Sequence, residues 1–120
     1  MKKGKFLSTV KVEWIEDAPR NMELLEDLVY IDSTGQEWLA PLGSIIDGAS
    51  IPKFFWRVIG SPFVGLYRRP SVIHDVYCEN KIRTYQNVHA CFNEMMFTEG
   101  VIEIKRETMF NAVDKFGPRW

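Results

Sequence analysis

Residues 70–100 read Pro70-Ser-Val-Ile-His-Asp-Val-Tyr-Cys-Glu-Asn-Lys-Ile-Arg-Thr84-Tyr-Gln-Asn-Val-His-Ala-Cys-Phe-Asn-Glu-Met-Met-Phe-Thr-Glu-Gly100, and the periodicity of this stretch decides the fold class. Val88, Cys91, Phe92, Met95 and Met96 recur at the spacing of one helix face. Thr84 or Tyr85 opens that helix and Gly100 is its stop signal. Upstream, Pro70 is suited to a first helical turn and predicts a helix to about Glu79, with Val72, Ile73, Val76 and Tyr77 on its inner face. The turn near Lys81 to Arg83 is short, so the two helices are antiparallel neighbours. A last helix runs from about Ile102 or Lys105 to Lys115, with Met109, Phe110, Val113 and Phe116 on one side, and Gly117-Pro118 ends it. A shorter helix capped by Ser50 and reaching Val58 precedes them, with Gly60 as its stop.

The first half is punctuated differently. Phe6, Thr9, Val10, Val12 and Trp14 form a β-rich opening that ends at the Asp17-Ala-Pro19 turn. Leu24 to Ile31 and Gln36 to Leu39 flank Asp32-Ser-Thr-Gly35, whose glycine supplies the positive φ of a short hairpin loop. From Pro41 to Pro52, glycines and prolines enclose Ser44, Asp47 and Ser50 in an ordered loop. Strands segregated from helices mean α+β: a small N-terminal antiparallel sheet or hairpin packed with three to four C-terminal helices. The 120 residues, with no repeat or linker, make one domain.

Composition narrows the function. A net charge of −1 offers no basic stripe for nucleic acid. No apolar stretch approaches the ~20 residues of a membrane-spanning helix. The charges Lys11, Glu13, Glu16 and Asp17 interrupt what a leader peptide requires, which argues against export by that route. Cys78 and Cys91 read as reduced, buried small side chains, with a disulfide between facing helices as the alternative.

His74 and His89 are the only histidines, and antiparallel helices allow them to face each other. An interior imidazole needs partners for its nitrogens, which Asp75 or Asp47 would supply, making His74 a possible base. Asp47, flanked by glycine, either approaches a cation together with loop carbonyls or caps its own loop. Two imidazoles and two carboxylates (Asp47, Asp75, His74, His89) would hold a divalent metal such as zinc, iron or manganese. Ser44 and Ser50 are weaker nucleophiles on sequence grounds, because neither lies in a G-x-S-x-G elbow.

The set Trp38-Leu-Ala-Pro41, Asp47-Gly-Ala-Ser-Ile-Pro52, Phe55-Trp56, Val72-Ile-His-Asp75, Tyr77 and Arg83 resembles a phage and prophage family, the domain of unknown function thirteen fifty-three. The order of motifs after Leu24 is similar too, so the resemblance implies viral provenance, with no settled activity. His89 stands where related phage proteins usually have aspartate. A looser similarity links the helical His74-Asp75 pair to phospholipase A2, where such a pair supplies a base and a calcium ligand; the disulfide framework and calcium loop of those enzymes are absent here.

These readings lead to a soluble, hydrolase-like domain acting on an ester or phosphoester. His74, Asp75 and Asp47 are its centre, and Tyr77, Ser50, Trp56, Arg83 and His89 support it. The rival is a non-enzymatic phage component: a virion or tail assembly piece, an inhibitor of a host defence protein, or a sequestering protein for a nucleotide signal. The expected location is the cytoplasm of the infected bacterium, or the virion.

Overall fold

Two three-stranded antiparallel sheets and a set of helices make up the computed structural model, which describes residues 1–16, 18–48, 50–59 and 65–120. The strands are β1 (Lys5–Phe6), β2 (Val12–Ile15), β3 (Ala18–Leu24), β4 (Leu28–Ile31), β5 (Glu37–Ala40) and β6 (Ile45–Ile46). Their orders are β1-β4-β5 and β2-β3-β6. The helices are α1 (Trp56–Ile59), α2 (Arg68–Asn80), α3 (Tyr85–Glu99) and α4 (Glu103–Phe116), with 3-10 turns at Lys53–Phe55 and Gly65–Tyr67. The α+β reading of the sequence holds. None of the described helices is long and apolar enough to cross a membrane.

The hairpin β4–β5 forms as its turn chemistry requires. The Asp32 carboxylate accepts from the amides of Thr34 and Gln36, each at 2.9 Å, and from Trp38 Nε1 at 2.9 Å. Gly35 takes φ 89°. Alternation then turns Leu28, Tyr30, Trp38 and Ala40 inward. Tyr30 ties this sheet to α3 through its hydroxyl, which donates to Glu94 Oε2 at 2.6 Å.

Several boundaries differ from the sequence reading. The opening β-rich stretch is shared between two sheets, with Phe6 pairing β4 and Val12–Ile15 pairing β3. Leu24 closes β3 instead of opening the hairpin. The loop after Pro41 contains β6, whose two residues pair with Met22 and Glu23. Periodicity cannot register a two-residue strand. Of the expected turn Asp17-Ala-Pro19, Ala18 and Pro19 instead open β3, while Asp17 and the helix stop at Gly60 lie outside the described residues. Ser50 caps no helix, because the 3-10 turn at Lys53–Phe55 begins after Pro52.

The central helix departs furthest from expectation. All of Pro70 to Cys78 in α2 are buried, not one face of it. The cause is its neighbours, since α2 packs against α3 on one side and β4, β5 and β6 on others. Lys81 ends it in the left-handed conformation, φ 57°. Thr84 caps α3 by accepting from the Asn87 amide, and Gly100 closes α3 at φ 90°. In α4, Met109 and Val113 face the core as expected, but Phe116 is exposed and packs edge-on against Phe54 on the surface.

Candidate functional site

Because α2 is enclosed, its polar residues must find partners from several directions. On the α3 side, His74 Nε2 lies 2.9 Å from His89 Nδ1. On the loop side, His74 Nδ1 lies 3.1 Å from Ser50 Oγ. His89 Nε2 in turn lies 2.9 Å from the Pro118 carbonyl oxygen.

The last contact fixes the direction of every other. A carbonyl oxygen only accepts, so His89 carries its proton on Nε2 and leaves Nδ1 bare. His74 therefore donates from Nε2 to His89, which leaves His74 Nδ1 bare. The Ser50 hydroxyl then has two acceptors within reach, the bare His74 Nδ1 at 3.1 Å and the Asp75 carboxylate, to which its side chain also hydrogen-bonds. The result is a one-way relay from His74 through His89 to Pro118, with the Ser50 hydroxyl set between the unprotonated His74 Nδ1 and the Asp75 carboxylate.

Electrostatics agree with two neutral rings. Burial, and secondarily the neighbouring His89, holds the His74 pKa well below the ordinary 6.5. Burial also lowers that of His89. The Phe92 ring lies against His74 with centroids 4.5 Å apart, which excludes water from that side.

A pH dependence of stability follows. In the unfolded chain both histidines take up protons below about pH 6.5, whereas the folded chain resists them. The unfolded state thus binds more protons, so stability is full above that pH and is lost as pH falls below it. The limiting slope is about 1.4 kcal/mol per pH unit for each histidine. Urea midpoints measured in chelator at pH 7, 6 and 5 should decline accordingly, and a flat series would contradict a buried neutral pair.

Asp75 plays a different part from the one its adjacency to His74 suggested. Its carboxylate accepts the Asp47 amide at 3.2 Å and the Ser50 amide at 3.3 Å. It clamps the loop that carries Ser50. Burial, and then the nearby Asp47, raises the pKa of Asp75. Asp47 itself is an exposed residue at the mouth of a cleft of about 430 Å³, which is lined by Ile45, Asp47, Ser50, Asp75, Cys78, Glu79 and Pro118. Ser50 is 3% exposed and lies at the base of this cleft.

The remaining sequence-derived residues serve elsewhere. Tyr77 accepts the Leu39 amide on its hydroxyl at 2.9 Å and packs edge-on to Trp38. The guanidinium of Arg83 lies over Trp38, 4.1 Å from the ring centroid, and donates to the Glu37 carbonyl. Trp56 packs partly buried against the core. None of the three is among the described residues lining the cleft.

The four-residue metal set of His74, His89, Asp47 and Asp75 does not converge as such, because Asp75 is turned to the loop amides. The group among the described residues that does converge is His74, Cys78 and His89. The sequence reading gives Cys78 as a reduced core thiol or half of a disulfide; like Cys91, it is free and buried. Its position four residues after His74 placed it on the same helix face, a signal present in the sequence.

Residues 22–113 match the family described as Protein of unknown function (DUF1353). The chain belongs to that family. Ser50, Asp75, His74, Cys78 and His89 all fall in the matched region, while Pro118 lies beyond it. Two uncharacterized proteins of Sinorhizobium fredii (strain NBRC 101917 / NGR234) are similar to this DUF1353 chain. Protein y4jT is 42% identical over 118 residues, covering 98% of the chain and 35% of the relative. Protein y4iH is 39% identical over 97 residues, covering 81% of the chain and 41% of the relative. The chain thus spans well under half the length of either. No solved structure matches.

Proposed function

We propose that this DUF1353 domain is a serine hydrolase of esters, with Ser50 as nucleophile, His74 as general base and His89 as the group that orients His74. The line of hydrogen-bond contacts from Ser50 Oγ to the Pro118 carbonyl carries the reading. Ser50 Oγ attacks the acyl carbon as its proton passes to His74 Nδ1. The ester C–O bond breaks, and the same proton leaves with the alcohol. Water then attacks the acyl-serine, gives a proton to His74 Nδ1, and releases the acid as that proton returns to Ser50.

The reading narrows the earlier expectation in two respects. A hydroxyl already sits on the base, so the attacking group is Ser50 and not a water beside a cation. Among the described residues the cleft is lined by Asp47, Asp75 and Glu79 and by no lysine or arginine, so an uncharged or cationic ester fits it better than a phosphoester. The phospholipase analogy weakens for the same reason, since the Asp75 oxygens hold amides. Because the Asp47 and Ser50 amides are committed to Asp75, the expected acceleration is that of a base acting on a nucleophile, ~10²–10⁴-fold. Phage or prophage origin, and action in the infected cell or on the virion, belong to the same proposal and rest on the resemblance of motifs.

An uncharged alkyl phosphonofluoridate, added in the presence of chelator, tests the proposal. Ser50 Oγ should form a P–O bond with loss of fluoride, and mass spectrometry should find the adduct on the Ser50 peptide. An uncharged nitrophenyl ester should be hydrolysed and nitrophenyl phosphate should not. Absence of any Ser50 adduct would overturn the reading in favour of a binding protein, for which the exposed Phe54 and Phe116 pair offers an anchor.

A further inference from the structure

The ring atoms that form the relay also stand beside a thiol. Cys78 Sγ is 3.6 Å from His74 Nε2, and one ligand atom from each of His74, Cys78 and His89 lies within 4.8 Å of the others. Tetrahedral zinc, with bonds of about 2.0–2.1 Å to nitrogen and 2.3 Å to sulfur, sets its ligands about 3.3 Å apart for two nitrogens and about 3.6 Å apart for nitrogen and sulfur. The 2.9 Å between His74 Nε2 and His89 Nδ1 needs to open by a few tenths of an ångström. Cys78 Sγ lies 3.6 Å from Nε2 but also 3.8 Å from Nδ1 of the same ring, so it must swing from over the ring toward the Nε2 side by a change of its rotamer.

We propose that His74 Nε2, His89 Nδ1 and Cys78 Sγ form a zinc site that switches the serine centre off. The proposal rests on the relay reading for its consequence, though not for its ligands.

The surroundings are those a metal-bound imidazole requires. His89 already donates from Nε2 to the Pro118 carbonyl, the outer hydrogen bond that fixes a ligating histidine in its tautomer. Ser50 Oγ stands at His74 Nδ1, ready to accept instead of donate. Cys78 lines the cleft, which gives an ion a way in. A set of two imidazoles and one thiolate favours zinc over calcium or magnesium, which prefer oxygen.

The protons balance simply. Cys78 Sγ loses its proton to solvent, as a coordinated thiol does. The His74 proton moves from Nε2 to Nδ1, and His89 is unchanged. One proton is released for each ion bound, and no electron is transferred. His74 Nδ1 is then occupied and cannot take the proton of Ser50, so the nucleophile is silenced without being touched.

Cobalt(II) and zinc ions, added to the whole chain, separate the two claims. One equivalent of cobalt should produce thiolate-to-cobalt charge-transfer absorption that is lost in Cys78→Ala and kept in Cys91→Ala. One equivalent of zinc should cut Ser50 labelling by the phosphonofluoridate at least tenfold, with chelator restoring it. Labelling of Cys78→Ala, at whatever rate it has without metal, should be insensitive to zinc. Cobalt bound with no thiolate band, a band that survives Cys78→Ala, or zinc bound with undiminished labelling would each overturn the proposal. Should Ser50 stay unlabelled even in chelator, the hydrolase reading fails alone, and the cobalt spectrum still decides the ligands.

Discussion

Replacing His89 by aspartate should raise the rate of Ser50 acylation about ten- to a hundredfold. Aspartate Oδ1 and histidine Nδ1 are both bonded to Cγ, so the new oxygen occupies the place of an atom 2.9 Å from His74 Nε2. There it accepts the same proton while adding a negative charge, which stabilises the imidazolium that forms as Ser50 is deprotonated. Loss of a carboxylate at this point in a serine protease costs about 10⁴ in rate, which sets the ceiling. The gain here is smaller, because a buried charge is costly and the Pro118 carbonyl loses its donor.

The pH profile of this variant carries a sign as well as a size. His89 contributes to lowering the His74 pKa, and a carboxylate in its place acts the other way. The acid limb of the labelling rate should therefore move to higher pH, since protonated His74 cannot accept from Ser50. His89→Asn, with the same shape and no charge, isolates the electrostatic part. A folded His89→Asp protein slower than the wild type would mean that His89 does not act through His74. The resemblance noted in the sequence implies aspartate at this position, which the substitution introduces.

Ser50→Ala should reduce ester hydrolysis to background, a loss of at least about a hundredfold, and abolish the phosphonyl adduct. Its effect on stability should be about 2–4 kcal/mol, because the hydroxyl's contacts to the buried His74 ring and to the Asp75 carboxylate are both lost. Circular dichroism and a urea melt would confirm that the variant is folded. The control lies in the same cleft. Cys78 remains there, but burial and then Asp75 push its thiol up to about 12, so it is protonated at neutral pH and does not take over as nucleophile. Hydrolysis that persists in Ser50→Ala would move the chemistry to another group.

Much of this arrangement was readable before any coordinates. The Asp32-Ser-Thr-Gly35 turn, the helical spacing after Thr84 and the Gly100 stop each rest on local backbone preferences, which neighbours did not override. The facing of His74 and His89 followed from a short turn between two helices. What failed was the pairing of His74 with Asp75. Successive residues on a helix point about 100° apart, so His74 reaches toward α3 while Asp75 reaches the loop. Ser50 was set aside because it lacks a strand-to-helix elbow, yet its role comes from the approach of a loop and a helix 24 residues apart. No pattern in a sequence records such an approach. The Pro118 acceptor is a main-chain oxygen, available at nearly every position and therefore silent in the text.

That oxygen governs more than its single contact suggests. Were His89 to surrender it, the ring would be free to carry hydrogen on the opposite nitrogen. The link upstream would then have to reverse, making the serine a receiver from His74. An atom with no reactivity of its own, the carbonyl oxygen of Pro118, thereby decides which way hydrogen can travel between the two rings. Anything that shifts the segment after α4, which itself borders the cleft at Pro118, reaches the centre through that one bond.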